Sequence, residues 1–462
     1  MREVSLWLDE PYTPRPSLDR EVSCDVCVVG AGIGGLATAW QLVARGVRDV
    51  VVVDRGVVAG GASGRNGGFF IAGAAPMYDR ARALWGRERA RAIYAATLRA
   101  QLALLEIAAE VGARDAFRLV GMLRVDDEPS VRAHLAALHE DGFEGSLVTE
   151  LPGALRGAGL LTPHDGAVHP ARWLRALARG LEARGVRIFE GTSVVQPPTG
   201  RVVHTAGGSV AAGAVVVAAD AALGALVPAL ATRVRSRRLH MLATEPAPLA
   251  LDRPVYIREG HEYAQQLPDG RVTLGGFSDL DGAASWTDHE SSNSAVQSRL
   301  DSYLRDDLLV TAPVTHRWVG LVGYAEDPLP TAGAVGDGLC ALGGYNGTGH
   351  VQAFVAAGIV ADLISRGTSA DAWLYHPPMD EAQTQAEIER LETRQRELRQ
   401  QEGDLAEQPE AVAPMREELE QIRVELDRLW DLQRQRRALR EAGGNPDDAS
   451  ERDASTVENY LS

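Results

Sequence analysis

Not one of the 462 residues is lysine, so all 47 basic residues are arginine. Schiff-base catalysis on a lysine amine is therefore excluded, pyridoxal phosphate enzymes included. So is a Walker A phosphate loop, whose lysine reaches the phosphates. A bias in coding-DNA base composition accounts for the pattern without any functional pressure. Cysteine is scarce, at three residues, which fits a reducing compartment. Cys24 and Cys27 make a C-x-x-C spacing, but a redox pair needs a helix N-terminus to lower a thiol pKa. These two flank or enter a strand-like run and read as small buried hydrophobes. Long apolar runs are missing as well: nothing approaches the roughly 20 residues of a membrane-spanning helix. The N-terminal MREVSLWLDEPYTPRP lacks the apolar centre of a signal peptide, so a cytoplasmic location is expected. Positive charge is in deficit, and the net charge of −16 argues against nucleic acid or an anionic membrane surface as partner. His240 and His261 have no metal-ligand spacing, and no metal is expected.

What is present begins at Asp25. Val26 to Val29 form a short apolar run suited to a strand buried on both faces. Gly30, Gly32 and Gly35 then give G-x-G-x-x-G, with Ile33 and Gly34 inside the motif; Leu36, Ala39, Trp40 and Val43 recur at helical spacing until Gly46. Val50 to Val53 read as a second strand, and Asp54 and Arg55 follow it. Asp54 stands roughly 20 residues beyond the glycines, where a dinucleotide fingerprint carries its ribose-binding acid. The glycines let a pyrophosphate approach the backbone, and the helix N-terminus presents free N–H groups and a positive dipole end.

A second glycine-rich run, GASGRNGGFF, spans residues 61 to 70 and contains Ala62, Ser63, Arg65, Asn66, Gly67 and Gly68. A third, from Gly343, carries Gly344, Tyr345, Asn346, Gly347, Thr348 and Gly349 ahead of a long apolar helix. A nicotinamide fingerprint alone explains neither, whereas convergence of all three on one larger cofactor explains both. Between these runs, residues 80–112 show helical spacing and Phe117–Val125 reads as one strand. His169–Gly191 reads as a helix feeding a strand, Ala212–Asp220 as a buried strand, and Val255–Phe277 as antiparallel strands around a PDGR turn.

With these motifs in this order, residues 5 to 375 resemble the flavin-dependent amine oxidoreductases, the family of D-amino acid oxidase, glycine oxidase, sarcosine oxidase and γ-glutamylputrescine oxidoreductase. The resemblance rests on SLWLD, VVGAGIGGLATAW, ASGRNGG, GAVHPARW, YIR, DGRVTLGG, RWVGLVGYAEDPLPTAG and GGYNGTGH. It implies an α/β fold: a Rossmann-like FAD-binding domain, about 22–80, 150–222 and 318–376, with an inserted antiparallel-sheet substrate domain, about 81–149 and 223–317. It implies that the first loop holds the ADP part of FAD, the second passes the pyrophosphate and flavin, and the third reaches the flavin end. Attachment residues known in relatives are missing from RWVGLVGY and GASGRNGG, so FAD is expected to be non-covalent.

The resemblance further implies oxidation of a C–N bond in an amine or amino acid, with oxygen or another acceptor taking the electrons. Tyr256, Arg258 and Trp318 are the expected substrate-site residues because their segments border the site in relatives. Arg258 would hold a carboxylate or else be a surface arginine; the aromatic pair would wall the amine or else be core. His169, before Pro170, reads as a helix-start residue rather than a catalyst. With no lysine beside the flavin, slow reaction with oxygen is expected.

From Met379 the chain changes character. Residues 379–462 carry 22 acids against 12 arginines. Ile388, Leu391 and Leu398 form one apolar stripe, and Leu419, Ile422, Leu426, Leu429, Leu432 and Leu439 another. The spacing predicts a helical hairpin of coiled-coil type with a flexible acidic end. The segment resembles a small, separately encoded helical family of unknown function, and Met379 stands where such a chain would start. A solvated appendage is the first expectation; self-association or partner docking through 379–441 is the other. The alternative for the whole protein is accordingly a flavin-binding interaction protein without catalysis.

Overall fold

The computed structural model describes residues 2–375, apart from 326 and 337, and in the C-terminal segment 381–404, 409–442, 444, 446 and 449. The chain divides into two compact units, Met1–Tyr375 and His376–Ser462.

In the first unit the strand Val22–Val29 runs parallel between Val50–Val53 and Ser209–Val217. Arg187–Phe189 extends the sheet beyond Val50–Val53, and Leu339–Gly343 extends it beyond Ser209–Val217. Two antiparallel strands, Val202–His204 and Thr331–Gly336, complete seven. Val29 is in register with both Val53 and Val217, so the carboxyl ends of three parallel strands lie side by side, where open α/β sheets bind ligands. Val26 to Val29 and Val50 to Val53 are all buried, as their unbroken apolar sequence requires. The helix Ile33–Ala44 follows directly and packs beside Gly349–Arg366.

A second sheet of eight strands is mostly antiparallel. Its run Val314–Ala325, Val234–Pro246, Arg271–Gly276, Glu262–Gln266 and Val255–Ile257 forms one side of the site described below. The expected single strand Phe117–Val125 is two. Phe117–Arg118 joins a small three-stranded sheet and Met122–Asp126 joins the large one. Gly121, at φ +75°, turns the chain between them and leaves Leu119 and Val120 exposed. The helical run after residue 78 also breaks, into Tyr78–Trp85 and Arg87–Glu110, at Gly86 with φ +80°. Arg87–Glu110 is, among the described residues, the one helix long and apolar enough to cross a membrane; half of its apolar window is buried inside the unit. Cys24 and Cys27 both lie in Val22–Val29, and burial pushes the Cys24 thiol up to about 11 and raises Cys27 further, so neither is a thiolate.

In the second unit, Glu381–Asp404 and Pro409–Glu441 pack antiparallel. Gln433 donates to Gln385 at 3.0 Å near one end, and Arg416 pairs with Glu402 at 2.6 Å near the other. The stripes meet as read: Ile388, Leu391 and Leu398 bury against Ile422, Leu426 and Leu429. Met379 and the acidic end 451–462 lie outside the described residues.

Candidate active site

The G-x-G-x-x-G geometry explains each glycine separately. A Cβ on Gly35 would lie 1.8 Å from the Gly30 carbonyl, so the helix can approach its strand only without a side chain there. Gly30 itself, at φ +114°, passes close to the carbonyl of Ala218 on the neighbouring strand. A Cβ on Gly32 would project to 2.8 Å from the Ser63 hydroxyl, into the space between the first and second glycine loops. There Ile33 N–H donates to Ser63 Oγ at 2.9 Å. Asp54 accepts from Ala31 N–H and Gly56 N–H, each at 2.7 Å, and burial raises its carboxyl pKa.

The second loop is stiffened from within and from the chain's start. Asn66 donates to the carbonyls of Ala62 and Ser63 and accepts from Gly68 N–H. Ser5 Oγ donates to the Gly64 carbonyl at 2.7 Å, and Trp7 Nε1 donates to the Asn66 carbonyl at 2.7 Å. The third loop crosses the first: the Tyr345 hydroxyl sits where a Gly34 Cβ would be 2.7 Å away. Asp220 accepts from Gly323 N–H at 2.9 Å and Gly344 N–H at 3.0 Å, tying this loop to the parallel sheet; burial pushes its carboxyl up to about 6.

All three loops open on one cavity of about 1270 Å³, which continues onto the eight-stranded sheet. Gly30, Gly32, Ile33, Gly34, Asp54 and Arg55 line it from the first loop; Ala62, Ser63, Arg65, Asn66 and Gly67 from the second; Tyr345, Asn346, Gly347, Thr348 and Gly349 from the third. Gly35, Gly68 and Gly344 stand behind that lining: Gly35 seats the helix, while Gly68 (φ +72°) and Gly344 (φ +71°) turn the loops. Two polar atoms at this wall are buried with no partner, the Tyr345 hydroxyl and His350 Nε2. Backbone cradles that a Cβ would fill, N–H groups in the first turn of a helix, an acid after the second strand and two orphaned polar atoms fit a long, phosphate-bridged dinucleotide such as FAD.

Comparison with known proteins agrees with this geometry. The family described as FAD dependent oxidoreductase matches residues 25–363. The chain belongs to this family. It is an FAD-dependent oxidoreductase with a non-covalently held flavin. Cys340 packs in Leu339–Gly343, outside the cavity lining. Gamma-glutamylputrescine oxidoreductase of Escherichia coli is 28% identical over 378 residues, covering 76% of this chain and 86% of that one. The crystal structure of glycine oxidase from Geobacillus kaustophilus superposes with a TM-score of 0.62 at 21% identity, covering 74% of this chain and 95% of that one, and it attests the fold. A second family, described as protein of unknown function (DUF2630), matches residues 380–462. An uncharacterised protein of Mycobacterium tuberculosis is 42% identical over 82 residues, 17% of this chain and 88% of its own length.

Of the three expected substrate-site residues, the structure places one in the cavity wall. Tyr256 lines it, in a cluster with Tyr263 and Phe69: Phe69 meets Tyr263 edge-on at 5.7 Å and Tyr256 at 6.0 Å between ring centres. Arg258 is turned away, because its guanidinium is held by the buried Glu262 carboxylate, with Asp279 beside it. Trp318 is buried in the core, outside the lining, and its Nε1 donates to the Arg65 carbonyl at 2.9 Å, so it braces the second loop. His169 caps the helix Pro170–Glu182, its Nδ1 accepting from Arg172 N–H at 3.3 Å.

Sequence reasoning missed Asp220, Tyr263, Phe69 and Arg237, all of which line the cavity. Asp220 carried a readable signal, an acid just past a buried strand, the same pattern that singled out Asp54. Tyr263 and Phe69 carried none, since their meeting depends on how two sheets are placed.

Proposed function

We propose that the enzyme oxidises the C–N bond of a small amine or amino acid. The observation that supports this is the continuity of the FAD cradle with the Phe69, Tyr256 and Tyr263 cluster in a single cavity. Gly30, Gly32, Ile33, Gly34 and Ser63 are assigned to the pyrophosphate, with Gly35 seating the helix behind them. Asp54 and Arg55 are assigned to the adenosine ribose. Ala62, Arg65, Asn66, Gly67, Gly68 and residues Gly344 to Gly349 are assigned to the flavin end. The division into FAD-binding stretches 22–80, 150–222 and 318–376 and substrate stretches 81–149 and 223–317 belongs to the same reading.

Bound FAD supplies a two-electron acceptor for hydride leaving the carbon next to nitrogen, and the resulting imine hydrolyses in water. The chain's own task is to position and desolvate. Tyr256 and Tyr263 present aromatic surface to the amine and exclude water with Phe69. Burial pushes the Tyr256 phenol up to about 12 and raises Tyr263 further, so both stay neutral near pH 7 and supply no phenolate base. An amine bound unprotonated needs none. Leu239 extends the apolar wall along Val234–Pro246.

The test is anaerobic bleaching of the purified yellow protein by a panel of glycine, sarcosine, D-amino acids, simple amines and polyamine conjugates. Bleaching by one class supports the reading; a flavin that dithionite reduces but no amine bleaches would overturn it.

A further inference from the structure

One carboxylate joins three parts of the first unit. Asp220 stands just past the strand Ser209–Val217, in the cavity wall. Its two oxygens are taken by backbone N–H groups of two other segments. Oδ2 accepts from Gly323 on Val314–Ala325 at 2.9 Å, and Oδ1 accepts from Gly344 on the third glycine loop at 3.0 Å. The end of the parallel sheet, a strand of the eight-stranded sheet and the third loop therefore meet at a single side chain.

The surroundings admit that side chain closely. Asp220 itself has φ +43°, a left-handed conformation that aspartate tolerates better than most residues. A Cβ on Gly323 would lie 2.6 Å from Asp220 Oδ1 and would displace the carboxylate. One on Gly343 would lie 3.1 Å from Asp220 Cα and would crowd the backbone behind it. Asn346 ties the same two segments from the loop side. Its N–H donates to the Gly323 carbonyl at 3.2 Å, its Oδ1 accepts from Ala325 N–H at 3.0 Å, and its Nδ2 donates to the Gly344 carbonyl at 3.1 Å.

What these segments share is the cavity. Gly320, Leu321, Val322 and Tyr324 line it from the strand, and Tyr345 to Gly349 from the loop. The turn into Asp220 also abuts the first glycine loop, because a Cβ on Gly30 would lie 2.4 Å from the Ala218 carbonyl oxygen. A carboxylate suits this joint where a neutral side chain does not. It accepts from two N–H groups at once and donates to neither, whereas an amide of the same shape would set its own NH2 against one of the two donors.

We infer that Asp220 is a positioning residue for the cofactor: it fixes the third glycine loop against Val314–Ala325, and so fixes the flavin end of FAD against the wall that the eight-stranded sheet contributes. This rests on the assignment of Gly344 to Gly349 to the flavin end, and it does not depend on amine oxidation. The test reconstitutes apoprotein with FAD and reads affinity together with the visible circular dichroism of the bound flavin at saturation. Asp220→Asn should weaken FAD binding about tenfold, Asp220→Ala further, and both should alter the dichroism. Wild-type dichroism in both variants would overturn the inference whether or not affinity falls, since a merely structural loss leaves the bound flavin's surroundings unchanged. Gly347→Ala, a change in the loop itself, separates the two readings. If it also leaves the dichroism unchanged, the assignment of the loop to the flavin end has failed; if it alters the dichroism where Asp220→Asn and Asp220→Ala do not, Asp220 has no positioning role. Should neither Asp220 variant be soluble, hydrogen exchange of the wild type decides. The Gly323 and Gly344 amides should gain protection together when FAD is added, and protection of only one, or of neither, would overturn the joint.

Discussion

At the scale of single residues, the geometry separates groups that touch the cofactor space from groups that shape it. Gly32 belongs to the first kind, since its missing side chain opens directly between two loops. Gly32→Leu should leave a folded chain, with circular dichroism unchanged, but the purified protein should lack flavin absorbance at about 450 nm and recover none on adding FAD. Its only near neighbour is the rotatable Ser63 hydroxyl, which is why the fold tolerates the change. Arg258 belongs to the second kind. Arg258→Gln strips the partner from the buried Glu262 carboxylate, which should destabilise the fold by about 1–3 kcal/mol. Denaturant unfolding would measure that loss, while bleaching by a good substrate should change little. A large loss of substrate affinity with unchanged stability would return Arg258 to the site.

At the scale of elements, the first strand, its glycine turn, the following helix and the acid after the second strand were legible because each is a local pattern with a local cause. The helical hairpin was legible for the same reason, since one stripe on each helix leaves a single way to pair. What escaped was long-range. The Phe117–Val125 run has strand-like chemistry along its length, and only the two separate sheets on either side of Gly121 show why it must break. Arg258 read as a carboxylate-holding arginine or a surface one; that its guanidinium is instead held by the buried Glu262, with Asp279 beside it, depends on how the chain turns after Val255–Ile257. Truncation after Pro378 should give a folded, yellow protein, because the unit Met1–Tyr375 contains every residue assigned to FAD. Flavin content per chain and thermal unfolding would check it; an insoluble or colourless product would show that the hairpin is needed.

At the scale of the whole molecule, two properties follow from what is buried and what is absent. Burial lowers His134 to about 3 and His169, His240 and His350 to about 4. Each is neutral in the fold and free to gain a proton when unfolded, so stability present above about pH 6.5 is lost as pH falls toward 4. Asp220, raised to about 6, and Asp54, also raised by burial, work in the opposite direction over part of that range, but two carboxyls face four imidazoles. The apoprotein's Tm should therefore fall between pH 7 and pH 4, and a flat profile would contradict the burial of these rings. With no lysine in the chain, the cations lining the cavity are diffuse guanidiniums, one already paired. Developing superoxide is poorly stabilised by such groups, so enzyme reduced anaerobically should reoxidise more slowly in aerated buffer than with an artificial acceptor such as a quinone. Oxygen reoxidation as fast as reduction by substrate would contradict this. The bonds from Ser5 and Trp7 to the second glycine loop carry a further consequence. Trp7 lies in the three-residue turn Leu6–Leu8 with Ser5 at its N-cap, and both side chains are buried. The shape of the second glycine loop is therefore held by a segment that precedes the first strand, so that segment and the cofactor cradle fold as one piece.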